Sequence, residues 1–295
     1  MNNTEMDRMR NEGERNRDGK QLIAVRGGGD LATGTIHMLS TAGYAVVVLE
    51  CGNPTAIRRE AAFSEAVRLG TKTVEGITCD AVASAEEALR LAGPDHPVLL
   101  IDEKAESLGV LKPRVLVDAM IAKRNLGTRI DMADYVIALG PGFTAGKDAH
   151  AVIETMRGHN LGRVIYKGQA QPNTGIPGLI AGYGKERVLH APKEGVLHPV
   201  RHIGDVVEKG ETIAVITGSA GEEVSVEASL TGVLRGMLPD GFAVRAGLKM
   251  ADIDPRLSER ENCFSISDKS RCIAGSVLML VCRHMAGAGG TEICR

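Results

Sequence analysis

The run Gln21-Leu22-Ile23-Ala24-Val25-Arg26-Gly27-Gly28-Gly29-Asp30-Leu31-Ala32 leads through a helix-like stretch to Tyr44-Ala45-Val46-Val47-Val48-Leu49-Glu50. A short apolar run, a glycine turn, a helix and a second apolar run ending in a carboxylate describe a βαβ unit. Gly27, Gly29 and Ala32 take the three places of the G-x-G-x-x-A form of the dinucleotide fingerprint. Gly27 allows the sharp turn, Gly29 allows backbone to approach a pyrophosphate, and Ala32 lets the helix pack on the sheet. Gly28, Asp30 and Leu31 complete the turn and open the helix, whose free N–H groups and dipole favour a phosphate. Glu50 falls where this fingerprint places the acid for a ribose diol. The alternative is a tight βα turn with no ligand.

Outward from this unit, apolar runs at 22–26, 44–49, 97–102, 114–118 and 134–139 alternate with helix-like stretches at 31–42, 57–69 and 84–92. Further strand candidates lie at 150–155 and 163–167. Continuous apolar strands separated by helices predict an α/β fold: a Rossmann-like, mostly parallel sheet with helices on both faces, over residues 21–186. Acids and glycines end the strands, at Glu50, Asp102, Asp118 and Gly140-Pro141-Gly142. The carboxyl edge of such a sheet is the ligand crevice. Gly140, Gly142 and Thr144 belong to a glycine-rich loop that could cradle a phosphate through its amides, although Asp148 after Lys147 excludes a Walker A order. Arg58, in the first turn after Pro54-Thr55, is a further phosphate candidate. Cys51, directly after Glu50, is a candidate reactive thiol or a small buried hydrophobe.

Near residue 187 short β-type runs punctuated by glycine take over, and a repeat appears. Gly195-Val196-Leu197 followed by Gly204 and Gly210 recurs at identical spacing as Gly232-Val233-Leu234 followed by Gly241 and Gly247. Residues 187–262 therefore resemble a small all-β barrel-sandwich hybrid of the biotinyl/lipoyl carrier type. The segment between the halves holds no lysine for a prosthetic group. A docking module or lid is the expectation there. Residues 263–295 read as a C-terminal helix and tail, capped by Ser267 or Asp268, with Ala274, Val277, Leu278 and Val281 as its apolar stripe. Residues 1–20 are charged and aperiodic, which predicts a disordered extension.

The chain has 295 residues and a net charge of −2, so nothing electrostatic points to nucleic acid or an acidic membrane. Four Tyr, four Phe and no Trp leave an aliphatic core. The six cysteines have no C-x-x-C spacing, no metal pattern emerges, and no apolar run reaches about eighteen residues. A cytoplasmic protein with free thiols is the expectation.

Several further runs resemble the YqeB family, accessory proteins of selenium-dependent molybdenum hydroxylase systems. They are Val25–Gly34, Pro54–Arg59, Asp118–Asn125, Ala138–Gly146, Glu154–Gly162 and Pro172–Gly178. The resemblance implies a maturation factor for a xanthine-dehydrogenase-like enzyme, with the molybdenum–pterin cofactor or NAD(P) at the crevice and the hydroxylase apo-enzyme as partner. It supplies no catalytic residue. Arg58, Lys123, Arg124 and Arg157 would meet phosphate or pterin groups. Two other functions fit the residues. An NAD(P)-dependent oxidoreductase would use the turn and Glu50 for its nucleotide-type ligand. A scaffolding protein would dock a hydroxylase through the β domain. A homo-oligomer is compatible with all three.

Overall fold

The computed structural model describes residues 21–175 and 178–287. The disordered extension expected at 1–20 and the tail from 288 onward lie outside the described residues. The chain begins with β1 (Leu22–Arg26), α1 (Asp30–Thr41) and β2 (Ala45–Glu50). Then come α2 (Ala66–Leu69), β3 (Thr71–Val74), β4 (Ile77–Val82), α3 (Ala85–Leu91), β5 (Val98–Ile101), α4 (Leu108–Leu111), β6 (Val115–Asp118) and β7 (Tyr135–Leu139). The short strands β8 (Thr144–Ala145), β9 (Ala151–Ile153), β10 (Val164–Ile165) and β11 (Gly168–Gln169) follow. A nine-stranded sheet takes the order β10-β9-β7-β6-β1-β2-β5-β4-β3.

The central strands are buried on both faces, which is why they read as unbroken apolar runs. Ile23, Val25, Val46, Val48, Val115 and Val117 face one side, where Ile36 and Leu39 of α1 cover them. Leu22, Ala45, Val47 and Leu49 face the other, under Ala85 and Ala88 of α3 and Leu111 of α4.

This architecture corrects the expected Rossmann-like sheet. The sheet is mixed, because β3 and β10 pair antiparallel at its two edges. The connection from β6 to β7 carries only a single 3-10 turn, Ile130–Met132, and the one from β7 to β9 carries no α-helix. Phe143, Ala145, Ala149 and Ala170 cover that half on one face instead, around the two-stranded β8–β11 sheet. Cover on the opposite face comes from the far end of the chain: α5 (Asp268–Met285) buries Ile273, Val277, Leu280 and Val281 against the core shared with α1. Each such side chain contributes roughly 1.5–3 kcal/mol.

Two local expectations also change. Residues 57–69 do not form one helix: Ala62 is extended and separates a 3-10 turn at Arg59–Ala61 from a second, Phe63–Glu65, that runs into α2. The Phe63 amide donates to Thr33 Oγ1 at 2.9 Å and the Ser64 amide to Gly28 O at 2.8 Å, so tertiary partners take donors a helix would have used. The β3–β4 hairpin turns on Glu75-Gly76, both at positive φ (46° and 84°), the geometry of a type I′ turn.

Residues from 188 onward form two four-stranded antiparallel sheets around one apolar core. Their strands are β12 (Val188–His190), β13 (Gly195–Pro199), β14 (Val206–Val207), β15 (Thr212–Thr217), β16 (Glu223–Glu227), β17 (Gly232–Met237), β18 (Phe242–Val244) and β19 (Lys249–Asp254). The sheet orders are β12-β19-β17-β14 and β16-β15-β13-β18. The repeat has a steric origin. A Cβ on Gly195 would sit 2.5 Å from Thr217 O, and one on Gly232 would run into Asp254 O.

The biotinyl-like reading is corrected in turn. Ile57 belongs to the apolar core of these sheets. The Met237 amide donates to Ile57 O at 2.9 Å, and Arg59 Nε donates to Met237 O at 2.7 Å. The register shift at Gly236 lets Ile57 approach, since a Cβ there would sit 2.9 Å from its carbonyl oxygen. A free-standing carrier domain has no such graft from the preceding sheet. Among the described residues no helix is long and apolar enough to cross a membrane.

Candidate functional site: the crevice at the carboxyl edge

The fingerprint turn is closed on itself. Glu50 Oε2 accepts the Gly28 amide at 2.7 Å and Oε1 accepts the Cys51 amide at 2.8 Å, so the expected ribose acid holds its own backbone. A Cβ on Gly28 would lie 3.0 Å from the Ser64 nitrogen, and one on Gly27 3.0 Å from Met120 Cα. Residues 57–65 therefore fill the side of the turn where a nucleotide ribose would enter. Ala32 is buried against the sheet, as a small residue there requires, and Leu31 packs half-buried on the same core.

Arg58 is a staple. Its side chain is 8% exposed, and Nη1 donates to Asp30 Oδ2 at 3.0 Å while Nη2 donates to Asn262 O and Ser265 O at 3.0 and 3.1 Å. The glycine loop is likewise self-satisfied. Asp148 Oδ2 accepts the Thr144 amide at 2.8 Å, the Lys147 and Asp148 amides donate to Thr144 O, and Thr144 Oγ1 accepts from Gln169. Gly140 makes room for Thr155, and Gly142 for the Arg124 backbone. Asp102 caps the turn that follows it. Despite partial burial, hydrogen bonds from Ser107 hold its carboxyl below the ordinary range. Cys51 is pushed up to about 11 by burial and by Glu50, which favours the bland reading of that thiol.

The closure involves Gly27 and Gly28, and the helix side of the same turn stays open to chemistry. The chain leaves β1 through α1 to β2 on one side, while β6 pairs with β1 on the other. In open α/β sheets the ligand crevice lies at that divergence. On one wall stands the N-terminus of α1. Its cap residue Gly29 offers no side chain, and the amides of Gly29, Asp30, Leu31 and Ala32 meet no acceptor among the described residues.

The opposite wall is the loop 119–128, which holds Ile121 and Lys123 at positive φ (54° and 64°). Such backbone is costly for a β-branched residue and persists only under strong local constraint. A buried network supplies it. Arg26 Nη1 donates to Thr128 Oγ1 at 2.5 Å, Thr128 Oγ1 donates to Asp118 Oδ2 at 2.6 Å, and Arg26 Nη2 donates to Glu103 O at 3.0 Å. Burial pushes the Asp118 carboxyl up, against the pull of Thr128 and Arg26.

The third wall comes from beyond β9 and from α5. Glu154 is buried and accepts the amides of Met156 and Gln171. Arg157 grips Asp268 bidentately at 2.9 and 3.0 Å, which draws that carboxyl down to about 2. Next to Asp268 stands Lys269, half-buried and with no hydrogen-bond acceptor among the described residues. Burial, then Arg157, lower its pKa, while Asp30, Glu154 and Asp268 pull the other way. From β17 comes Arg235. Its side chain is 17% exposed, lies 4.0 Å from Asp252 Oδ2, and has no closer acceptor among the described residues. Burial and Arg58 act against its charge, and Asp252, Asp254 and, least, Asp30 act for it. Asp30, in the first turn of α1, thus senses both Lys269 and Arg235, the latter also paired with Asp252. Neither residue was singled out from the sequence, because their convergence depends on α5 and β17 folding back to the first crossover.

Over 260 residues, 88% of its length, the chain is 50% identical to the uncharacterized protein YqeB of Escherichia coli K12. The chain is a homologue of YqeB. It spans about half of that relative, 47% of its length. No family model matches the chain. Among solved structures, an aspartoacylase family protein from Mesorhizobium loti is 13% identical, with 80% of this chain and 86% of that chain covered and a TM-score of 0.28. The product-bound ectoine utilization protein EutE (DoeB) from Ruegeria pomeroyi is 12% identical, with coverage of 79% and 85% and a TM-score of 0.28.

The YqeB relative is an uncharacterized protein, so the likeness carries no molybdenum or selenium role. The closed fingerprint turn removes the nucleotide seat on which that expectation stood. The accessory role in a selenium-dependent molybdenum hydroxylase system is therefore withdrawn, together with its oxidoreductase and scaffolding alternatives.

Proposed function

We propose that this protein binds a small phosphate- or carboxylate-bearing molecule in the crevice between α1, the loop 119–128, the start of α5 and β17. The observation that carries the reading is the open N-terminus of α1. Four amide donors that meet no acceptor among the described residues stand there, with Lys269, which also meets none among them, and Arg235, held only by Asp252 at 4.0 Å, on the flanking elements. A helix N-terminus attracts anions through its amides and dipole, and guanidinium and ammonium groups supply charge-assisted bonds. Arg58, whose buried Nε has no partner, adds positive charge behind them. The β sheets enter the reading because Arg235 comes from them: the ligand would bridge the two halves of the chain. The unpaired thiols of Cys51, Cys79, Cys263, Cys272 and Cys282 support the cytoplasm as the compartment.

Calorimetric titration with inorganic pyrophosphate tests this reading. Lys269→Met and Arg235→Met are each expected to weaken binding by about tenfold, the loss of one charge-assisted contact of ~1.4 kcal/mol. Absence of binding, or an affinity untouched by both substitutions, would refute it.

A further inference from the structure

We propose that His150, Tyr135 and His284 form an acid-sensitive latch, which holds the last turn of α5 on the large sheet at neutral pH and releases it in mild acid. Tyr135 opens β7, so the latch lies at the amino edge of the sheet, opposite the crevice, and needs no ligand there. His150 stands directly before β9, and His284 lies in the last turn of α5. Their three half-buried rings make one stack with Tyr135 in the middle. The Tyr135 ring centroid is 5.0 Å from that of His150 and 4.9 Å from that of His284, with planes 25° and 19° apart. The stack thus ties the end of a helix to two strands from far earlier in the chain.

Both imidazoles must be neutral for this geometry to hold. His150 Nδ1 accepts the Val136 amide at 2.9 Å, and because a backbone amide only donates, Nδ1 has to keep its lone pair. A proton there turns two N–H groups on each other and breaks the bond at the start of β7. His284 Nε2 is buried with no hydrogen-bond partner among the described residues, so a proton on it becomes a stranded donor. Burial lowers the pKa of His150. Burial, then Arg114, lower that of His284; Asp134, which Arg114 holds at 3.0 Å, pulls it up, and His150 lowers it again. Burial, then Tyr166, push the Tyr135 phenol up to about 12 against the pull of Arg283, so the middle ring stays neutral. Cation–π attraction to Tyr135 and the carbonyl end of α5 both favour a charged His284, but neither supplies the missing acceptor. A folded pKa below the ordinary ~6.5 means that the latch contributes stability above that value and loses it as pH falls through and below it. His96 and His198, 2.9 Å from Asp80 and Asp240, respond in the opposite sense, so the readout has to be local.

Hydrogen–deuterium exchange of the full chain, read peptide by peptide and corrected for the pH dependence of chemical exchange, tests the latch. Between about pH 7.5 and about pH 5.5, peptides from the last turns of α5 should lose protection by up to about tenfold for each histidine, the limit set by a free imidazole of pKa ~6.5. Peptides covering β1 and β2 should keep theirs. His150→Asn retains an acceptor for the Val136 amide without titrating, and His284→Phe retains the ring, so the double variant should lose the acid response. Unchanged protection at the lower pH, a loss shared equally by β1 and β2, or a response undiminished in the double variant would each overturn the proposal. Circular dichroism identifies a double variant that has failed to fold. In that case NMR titration of the imidazoles in the unaltered chain decides. Titration of both His150 and His284 below about 6.5 supports the latch, and titration of either at or above that value overturns it.

Discussion

Replacing Gly34 by alanine should destabilise the protein, although the same change usually stabilises a helix. Gly34 lies inside α1 with ordinary helical backbone, so alanine gains about 1 kcal/mol of helix propensity there. A Cβ at this position would run into Ser270 Oγ and come to 3.1 Å from both Ser270 Cβ and Ile266 Cγ2. Ser270 is fully buried and donates to Asp30 O and Leu31 O at 3.0 Å each, so its hydroxyl has no solvent to swing into. Overpacking costs about 1–3 kcal/mol, and a stranded buried hydroxyl a further ~1–3 kcal/mol. The net expectation is a loss of roughly 1–5 kcal/mol in urea unfolding. Gly275→Ala supplies the control. Gly275 sits inside α5 with nothing within 4 Å of its would-be Cβ, so the same propensity gain appears there unopposed. Ser270→Ala in the Gly34→Ala background should recover part of the loss. A Gly34→Ala protein as stable as the parent would refute the close α1–α5 contact that brings Lys269 to the crevice.

Other consequences are equally direct. Lys123→Gly should stabilise the fold by about 1 kcal/mol, because an exposed side chain at φ 64° pays for left-handed backbone that glycine adopts freely; chemical denaturation reads this. Ser267→Ala should cost about 1 kcal/mol, since Ser267 Oγ accepts the Ser270 amide as the N-cap of α5. Acid titration of stability should show the Arg157–Asp268 pair. The folded carboxyl, about 2, lies below its ordinary 3.8, so its contribution is present above 3.8 and fades as pH falls toward about 2. Asp268→Asn should flatten that limb only slightly, because the Asp268 side chain is 76% exposed and solvent screens the pair. Iodoacetamide should modify the exposed Cys272 well before Cys51 at neutral pH, as peptide mapping of a time course would show.

The strands of the large sheet were legible because burial on both faces leaves an unbroken apolar run, and β1, β2, β5, β6 and β7 each carry one. What covers them was not. Over β9 and β7 the layer is a helix that begins more than a hundred residues later, and no local pattern reports where α5 will dock. The hairpin at 71–82 was missed because its strands alternate exposed and buried residues and its turn is Glu75-Gly76 rather than Asn-Gly. The segment 57–69 has helix-forming residues throughout. It is drawn out of helix by Thr33 Oγ1 and Gly28 O, partners that only the folded state supplies.

The fingerprint misled for a reason that lies in glycine itself. The pattern G-x-G-x-x-A records where backbone must come close to something without a Cβ in the way, and it does not record what that something is. At Gly27 it is the Met120 backbone and at Gly28 the Ser64 amide; at Gly142 it is the Arg124 backbone. Glu50 has the same ambiguity, since a carboxylate that can accept two ribose hydroxyls can equally accept the amides of Gly28 and Cys51. A diphosphate and a neighbouring loop make the same demands on the turn. The open amides of α1 escape the ambiguity because no part of the described chain has taken them, and Lys269 is in the same position, while Arg235 has only Asp252 at 4.0 Å. Anion binding is therefore argued from donors left over after the protein has satisfied itself, a quantity the folded chain defines and the linear pattern does not.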